Sequence, residues 1–240
     1  PIQSMGYFYD LFETVYCRHE PLQEGKSKIG TMCIQIPSEI IYALDGVPIR
    51  LCNGFYTDDE IGSDLLPQKS CPLVKATVGW FASDNFSDKP DITFSPTTCD
   101  QKTKAGAIIE SFGHTVIDVG FPRTKESEES RHYWRESVKS FAVKLSKFQG
   151  KKLTRSNLES AIKKIGYAQS LYHKLTEFRK NKAVPILGVD MFLVTNAFFF
   201  DRIDGWIGAV EKLVAELEQR VNEGVNVAGK ASPRIVYTGS

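Results

Sequence analysis

Four of the five cysteines stand where a strand or turn runs into a helix: Cys33 in KIGTMCIQIPSEIIYA, Cys52 in VPIRLCNG, Cys71 in LPQKSCPLVKATVGW and Cys99 in DITFSPTTCDQKTKAGA. In an open parallel α/β sheet the carboxyl ends of the strands line one crevice, so thiols at successive strand ends meet although far apart in sequence. Counted from Cys17 to Cys99 the spacings are 16, 19, 19 and 28, with no C-x-x-C, whereas zinc sites come as close pairs. A disulfide framework suits a short secreted chain, which this is not. Dispersed thiolates gathered from several loops are compatible with an iron–sulfur cluster, for which cysteine is the usual ligand. Helix starts after Cys33, Cys71 and Cys99 would bring backbone N–H groups and positive dipole ends to an anionic cluster. Spacing alone leaves a second reading open, in which the thiols are small buried hydrophobes. Cys17, beside Tyr16 and Arg18, fits that reading.

The elements that must position these thiols alternate strand and helix. Residues 5–17 put Tyr7, Leu11 and Val15 at helical spacing, an N-terminal docking helix within residues 1–27. GTMCI reads as a strand, Pro37-Ser38 opens a helix with Ser38 as candidate cap, and VPIRL is a buried strand before Asn53-Gly54. DITF, the Asp100 segment and HTVIDVG give strand, helix and strand, the last ended by Phe121-Pro122. This rhythm implies right-handed crossovers, a parallel sheet and an α/β domain over 28–125. Beyond it the stripes Trp134, Val138, Phe141, Leu145, Phe148 and Leu158, Ile162, Ile165, Ala168, Tyr172, Leu175, Phe178 predict two helices. Gly150 stops the first and Thr154 caps the second. A third helix carries Ile203, Trp206, Val210, Leu213, Leu217 and Val221. The fold class is therefore α/β: a Rossmann-like parallel-sheet domain, a helical section over 126–230, and at 231–240 (ASPRIVYTGS) the first strand of a second α/β domain.

Composition narrows the function classes. At 240 residues, 42% hydrophobic and 25% charged, the chain is long enough for a large core. A net charge of +1 gives no electrostatic reason to expect nucleic acid or an anionic membrane as partner. No apolar run approaches the roughly 18 residues of a membrane span, and the start lacks a signal-peptide pattern. The odd cysteine count then points to reduced thiols in a cytoplasm.

The segments MCIQIPSEIIYALDGVPIRLC, CPLVKATVGW and TTCDQKTK, with ASPRIVYTGS after a helical insert, resemble the family of 2-hydroxyacyl-CoA dehydratase subunits, benzoyl-CoA reductase subunits and double-cubane cluster proteins, closest to the double-cubane branch. The resemblance covers nearly the whole chain and matches the amino-terminal portion of such proteins. It implies a subunit with two α/β domains that holds iron–sulfur cubanes through interface cysteines and works as a homodimer or heterodimer. Its low-potential electrons would come from a separate ATP-hydrolysing activator with its own cluster. By the same resemblance Cys33, Cys71 and Cys99 are the strongest ligand matches, with Cys52 in the right strand. Four thiols exceed what one cubane with three protein ligands requires, which favours a sulfide-bridged double cubane reducing small molecules. The alternatives are a single four-iron cubane in a 2-hydroxyacyl-CoA dehydratase subunit, acting by a ketyl-radical route, and a non-catalytic accessory subunit. Relatives often have Lys-Cys-Pro where this chain reads SDNFSDKP, with Phe86 in place of the cysteine.

Other polar residues carry weaker signals. Glu39, after Pro37, is the candidate catalytic group, able to relay a proton; its other reading is a helix-start carboxylate favoured by the dipole. Lys75 lies on the face of Cys71, where it would balance cluster charge or remain solvated. Gly79-Trp80 reads as a helix end. With no G-x-x-x-x-G-K-[ST], nucleotide hydrolysis belongs to a partner.

Overall fold

The computed structural model describes residues 2–17, 25–51, 56–83 and 89–229, with residues 232, 233 and 235. Packing divides the chain into two compact units, Gln23–Lys164 and Pro1–Leu22 with Ile165–Ser240. Helix α1 (Gly6–Phe12) opens the second of these. The sheet unit then runs β1 (Lys28–Thr31), α2 (Ser38–Ala43), β2 (Val47–Arg50), α3 (Tyr56–Leu65), α4 (Pro72–Ala82), β3 (Ile92–Pro96), α5 (Asp100–Ser111), β4 (Val116–Val119) and α6 (Glu128–Gln149). Helices α7 (Arg155–Phe178), α8 (Gly188–Ala197) and α9 (Ile203–Asn222) follow, the boundary between units falling within α7.

The four strands pair in the order β2-β1-β3-β4, all parallel, as the strand–helix rhythm predicts. Thr31 registers with Arg50 on one side and Phe94 on the other, and Pro96 with Val119. Every residue of β3 is buried, the pattern of a central parallel strand covered on both faces. Ile29, Ile92, Phe94 and Val119 meet Ile40, Ile41 and Leu44 around α2 and Phe141 and Leu145 of α6. Met32, Leu51 and Val116 meet Val74, Val78 and Phe81 of α4 and Ala105 and Ile109 of α5. Helices on both faces make this a doubly wound sheet.

The periodicity places α6 in a helical section at 126–230, whereas Phe141 and Leu145 lie in the sheet core, so this packing unit runs on to Lys164. Its stripe is shorter than expected, because Phe148 is exposed. On α7 the buried position is Ala161 rather than Ile162, which is exposed. The caps follow expectation: Gly150 is left-handed (φ 63°) and Thr154 Oγ1 accepts from Asn157 N–H. The expected strand at 231–240 lies outside the described residues apart from Ser232, Pro233 and Ile235.

Gly79 does not close a helix; it sits inside α4, three residues before its end. A Cβ there would overlap the Asp58 carbonyl of α3, and one on Gly62 of α3 would overlap the Lys75 carbonyl of α4. The two backbones therefore cross in direct contact, which only glycine permits. Gly79→Ala should lower unfolding stability by about 1–3 kcal/mol or more through overpacking. Gly208→Ala, in open space on α9, should leave stability unchanged or raise it by up to about 1 kcal/mol. Urea unfolding of the two variants checks this, and equal losses would contradict the close crossing.

In the other unit α1 is tied down by polar bonds as well as by Met5, Phe8 and Leu11. Ser4 Oγ donates to Glu216 at 2.6 Å, Tyr7 Oη to Asp201 at 2.7 Å and Tyr9 Oη to Asp190 at 2.6 Å. The Asp190 bond pushes the Tyr9 phenol up to about 12. Burial raises Asp201 above its ordinary 3.8 against the opposing bond from Tyr7. The folded state thus holds that proton to higher pH than the unfolded chain, and stability falls as pH rises from 3.8 through the raised folded value. Asp201→Asn should flatten this dependence, which denaturant midpoints across that window will read. No described helix is long and apolar enough to cross a membrane.

Candidate functional site

The chain leaves β1 at Thr31, and Met32 N–H continues the ladder by donating to Phe94 O at 3.1 Å. Cys33 follows in the turn before α2, partly buried. Strand β3 ends at Pro96, Thr97 N–H donates to Val119 O at 3.0 Å, and Cys99 follows as the N-cap residue of α5. Because β1 and β3 are parallel neighbours, Cys33 and Cys99 leave the same edge of the sheet. Strand β2 lies on the far side of β1 and β4 on the far side of β3, so this is where the winding reverses, the place where open α/β sheets bind ligands.

Cys71 reaches this edge from a helix. It is the N-cap residue of α4, with Pro72 in the first turn, and its backbone N–H donates to Gln101 Oε1 at 3.4 Å, two residues beyond Cys99. Cys71 and Cys99 are exposed free thiols, and neither side chain caps its helix. Cys33 differs: the N-cap residue of α2 is Pro37, Ser38 is its first residue rather than the cap, and the helix-start argument therefore applies to Cys71 and Cys99 but not to Cys33. Cys52 lies outside the described residues. The residue before it is held at both ends, Leu51 N–H donating to Thr31 O at 3.0 Å and Leu51 O accepting from Thr77 Oγ1 at 2.8 Å. The side chain of Cys17 and all of Phe86 also lie outside the described residues.

Glu39 stands in the first turn of α2, partly buried. Lys75, expected in solvent, is only 8% exposed, and its ammonium donates to Gln68 O at 3.0 Å, fixing the loop ahead of Cys71. Sequence reasoning missed a cleft of about 820 Å³ lined by Gln35, Phe121, Arg123, Lys125, Arg131 and Trp134. Phe121 and Trp134 meet edge to face with centroids 4.9 Å apart, and Gln35 Oε1 is buried without a partner among the described residues. Its only sequence signals are the Phe121-Pro122 strand end and the closeness of Gln35 to Cys33.

Among the described residues no three His, Cys, Asp or Glu side chains gather closely enough to hold a metal ion. Iron–sulfur clusters are held by Cys thiolates gathered around one cluster. Cys33, Cys71 and Cys99 offer soft donors of that kind on separate loops of one sheet edge. Exposure predicts the order of alkylation in the metal-free protein: iodoacetamide should modify Cys71 and Cys99 before Cys33, as peptide mapping over time will show. Faster modification of Cys33 would contradict the placement.

The family 2-hydroxyglutaryl-CoA dehydratase, D-component, matches residues 33–240. The Escherichia coli (strain K12) protein named "Putative dehydratase subunit YjiM" is 24% identical over 221 residues, covering 90% of this chain and 57% of that protein. The chain thus spans little more than half the length of this curated relative. The matched region begins at Cys33, takes in Cys52, Cys71 and Cys99, and leaves out Cys17. The chain belongs to the 2-hydroxyglutaryl-CoA dehydratase D-component family.

Proposed function

We propose that the carboxyl edge of the sheet carries an iron–sulfur ligand set of Cys33, Cys71 and Cys99 in an enzyme subunit that dehydrates a 2-hydroxyacyl-CoA. The observation that carries this reading is the placement of Cys33 and Cys99 on adjacent strand ends where the winding reverses, with Cys71 bonded to the first turn after Cys99. The names of the family and of its relative support the dehydratase class. A cluster bound there would supply one-electron transfer at low potential, fed by a separate ATP-hydrolysing activator. The chain's own residues would hold and orient it: Met32, Leu51 and Gln101 fix the backbone beside the thiols, and Glu39 is the proposed proton relay. A second reading, a double cubane that reduces small molecules, is favoured by the presence of four thiols where a single cubane with three protein ligands needs fewer.

Iron and acid-labile sulfide in the anaerobically purified full-length protein test the proposal, and Ser variants sharpen it. Cys33→Ser, Cys71→Ser and Cys99→Ser should each lower iron content and alter the visible spectrum, because a hydroxyl is a harder and less suitable ligand than a thiolate. Cys17→Ser should do neither. Cys52→Ser should lose iron if the cluster is a double cubane and behave like Cys17→Ser if it is single. In the iron-free protein the direction reverses at the two helix starts, where a serine caps and so stabilises by about 1 kcal/mol. Full iron content with unaltered spectra in all four variants of Cys33, Cys52, Cys71 and Cys99 would remove the reading.

A further inference from the structure

Helices α4 and α5 pack through Val74, Val78, Ala105 and Ile109 in a shared core. Apolar packing of this kind is non-directional and does not by itself fix one helix end against the other. A directional bond does so here. The first N–H groups of a helix have no partner within it, Pro72 has no N–H, and Cys71 N–H is satisfied from α5 by Gln101 Oε1 at 3.4 Å. The Cys71 carbonyl is taken by Val74 N–H and Lys75 N–H, both at 3.0 Å. Ahead of it, Ser70 N–H donates to Pro67 O at 2.8 Å and Lys75 Nζ to Gln68 O at 3.0 Å. Cys71 is therefore fixed by α4 and its own loop on one side and by α5 on the other.

We propose that Gln101 is a positioning residue that sets the span between the Cys71 and Cys99 thiols. Its chemistry suits that task beside anionic ligands, since the amide oxygen accepts the bond without adding negative charge. A carboxylate at the same place would keep the bond and repel electron density on a cluster, which separates geometry from charge. The inference deepens the cluster reading, on which its second arm rests.

The test uses the full chain with Gln101→Leu, which removes the acceptor at similar volume, and Gln101→Glu, which keeps it. In iron-free protein a short bifunctional alkylating reagent is applied and the Cys71–Cys99 bridge is quantified by peptide mapping. The bridge yield in Gln101→Leu should fall about twofold, the factor expected of a single long, exposed hydrogen bond, while Gln101→Glu stays near wild type. After anaerobic reconstitution Gln101→Leu should lose iron, whereas Gln101→Glu should load fully with a reduction potential more negative than wild type. No Cys71–Cys99 bridge in the wild type, equal bridging in Gln101→Leu and wild type, or equal loss in both variants alongside a lowered Tm would each overturn the proposal. Wild-type protein that bridges as expected and binds no iron would instead sink the cluster reading and leave the positioning role standing.

Discussion

Parallel pairing of β1 with β3 is the constraint on which the thiol edge depends. A parallel strand has to be re-entered from the same end as its neighbour, so each connection leaves from one edge of the sheet and returns to the other. With β2 outside β1 and β4 outside β3, the connections after β1 and β3 diverge and the edge between them stays uncovered by either. Met32 N–H to Phe94 O carries the ladder one residue past β1, so the backbone beside Cys33 is still sheet-like. A slip of one residue would turn Ile29 and Phe94 out of their core and Met32 out of the other. Hydrophobic burial on both faces thus holds the register, and the register delivers the cysteines.

Cys71 depends on a different contact. No strand ends at it, and it reaches the same edge because α4 is drawn against α3 at Gly62 and Gly79 and against the sheet by Val74 and Val78. Close backbone crossing leaves α4 little freedom to slide, and Thr77 adds a bond from α4 to the end of β2. The ammonium of Lys75 then fastens the loop before Cys71 to the same helix. Its bond to the Gln68 carbonyl acts as a latch on that loop.

What was legible in the sequence is what local chemistry decides. Gly150 and Thr154 end and begin helices by their own backbone and hydroxyl, and the apolar runs around Ile49 and Phe94 have no competing use, whereas the strand read at GTMCI lies earlier, at Lys28–Thr31, and leaves Cys33 in the turn after it. What was not legible depends on neighbours remote in sequence. Gly79 looks like a helix end until Asp58 of α3 is seen against it, and Lys75 looks solvated until the loop at Gln68 folds over it. Ala161 rather than Ile162 is buried because it continues the helical phase of Ile165, Ala168, Leu171 and Leu175. In the candidate site the strand-end placement of Cys33 and Cys99 could be read from the alternation of elements, whereas the cleft beside Gln35 and the bond from Cys71 to Gln101 join segments that nothing in their composition links.

Cysteine is the N-cap residue of both α4 and α5. Ser, Thr, Asp or Asn there would accept a first-turn N–H and stabilise each helix by about 1 kcal/mol, and neither thiol makes that bond. The amino ends of these helices carry partial positive charge, and both lie at one edge, joined through Gln101. Without an anion the two ends repel. Thiolates, or an anionic group that thiolates hold, convert that repulsion into attraction and occupy the N–H groups that capping side chains would otherwise have taken. Under the proposed cluster reading, the same two positions would therefore cost the empty protein stability and favour the loaded one.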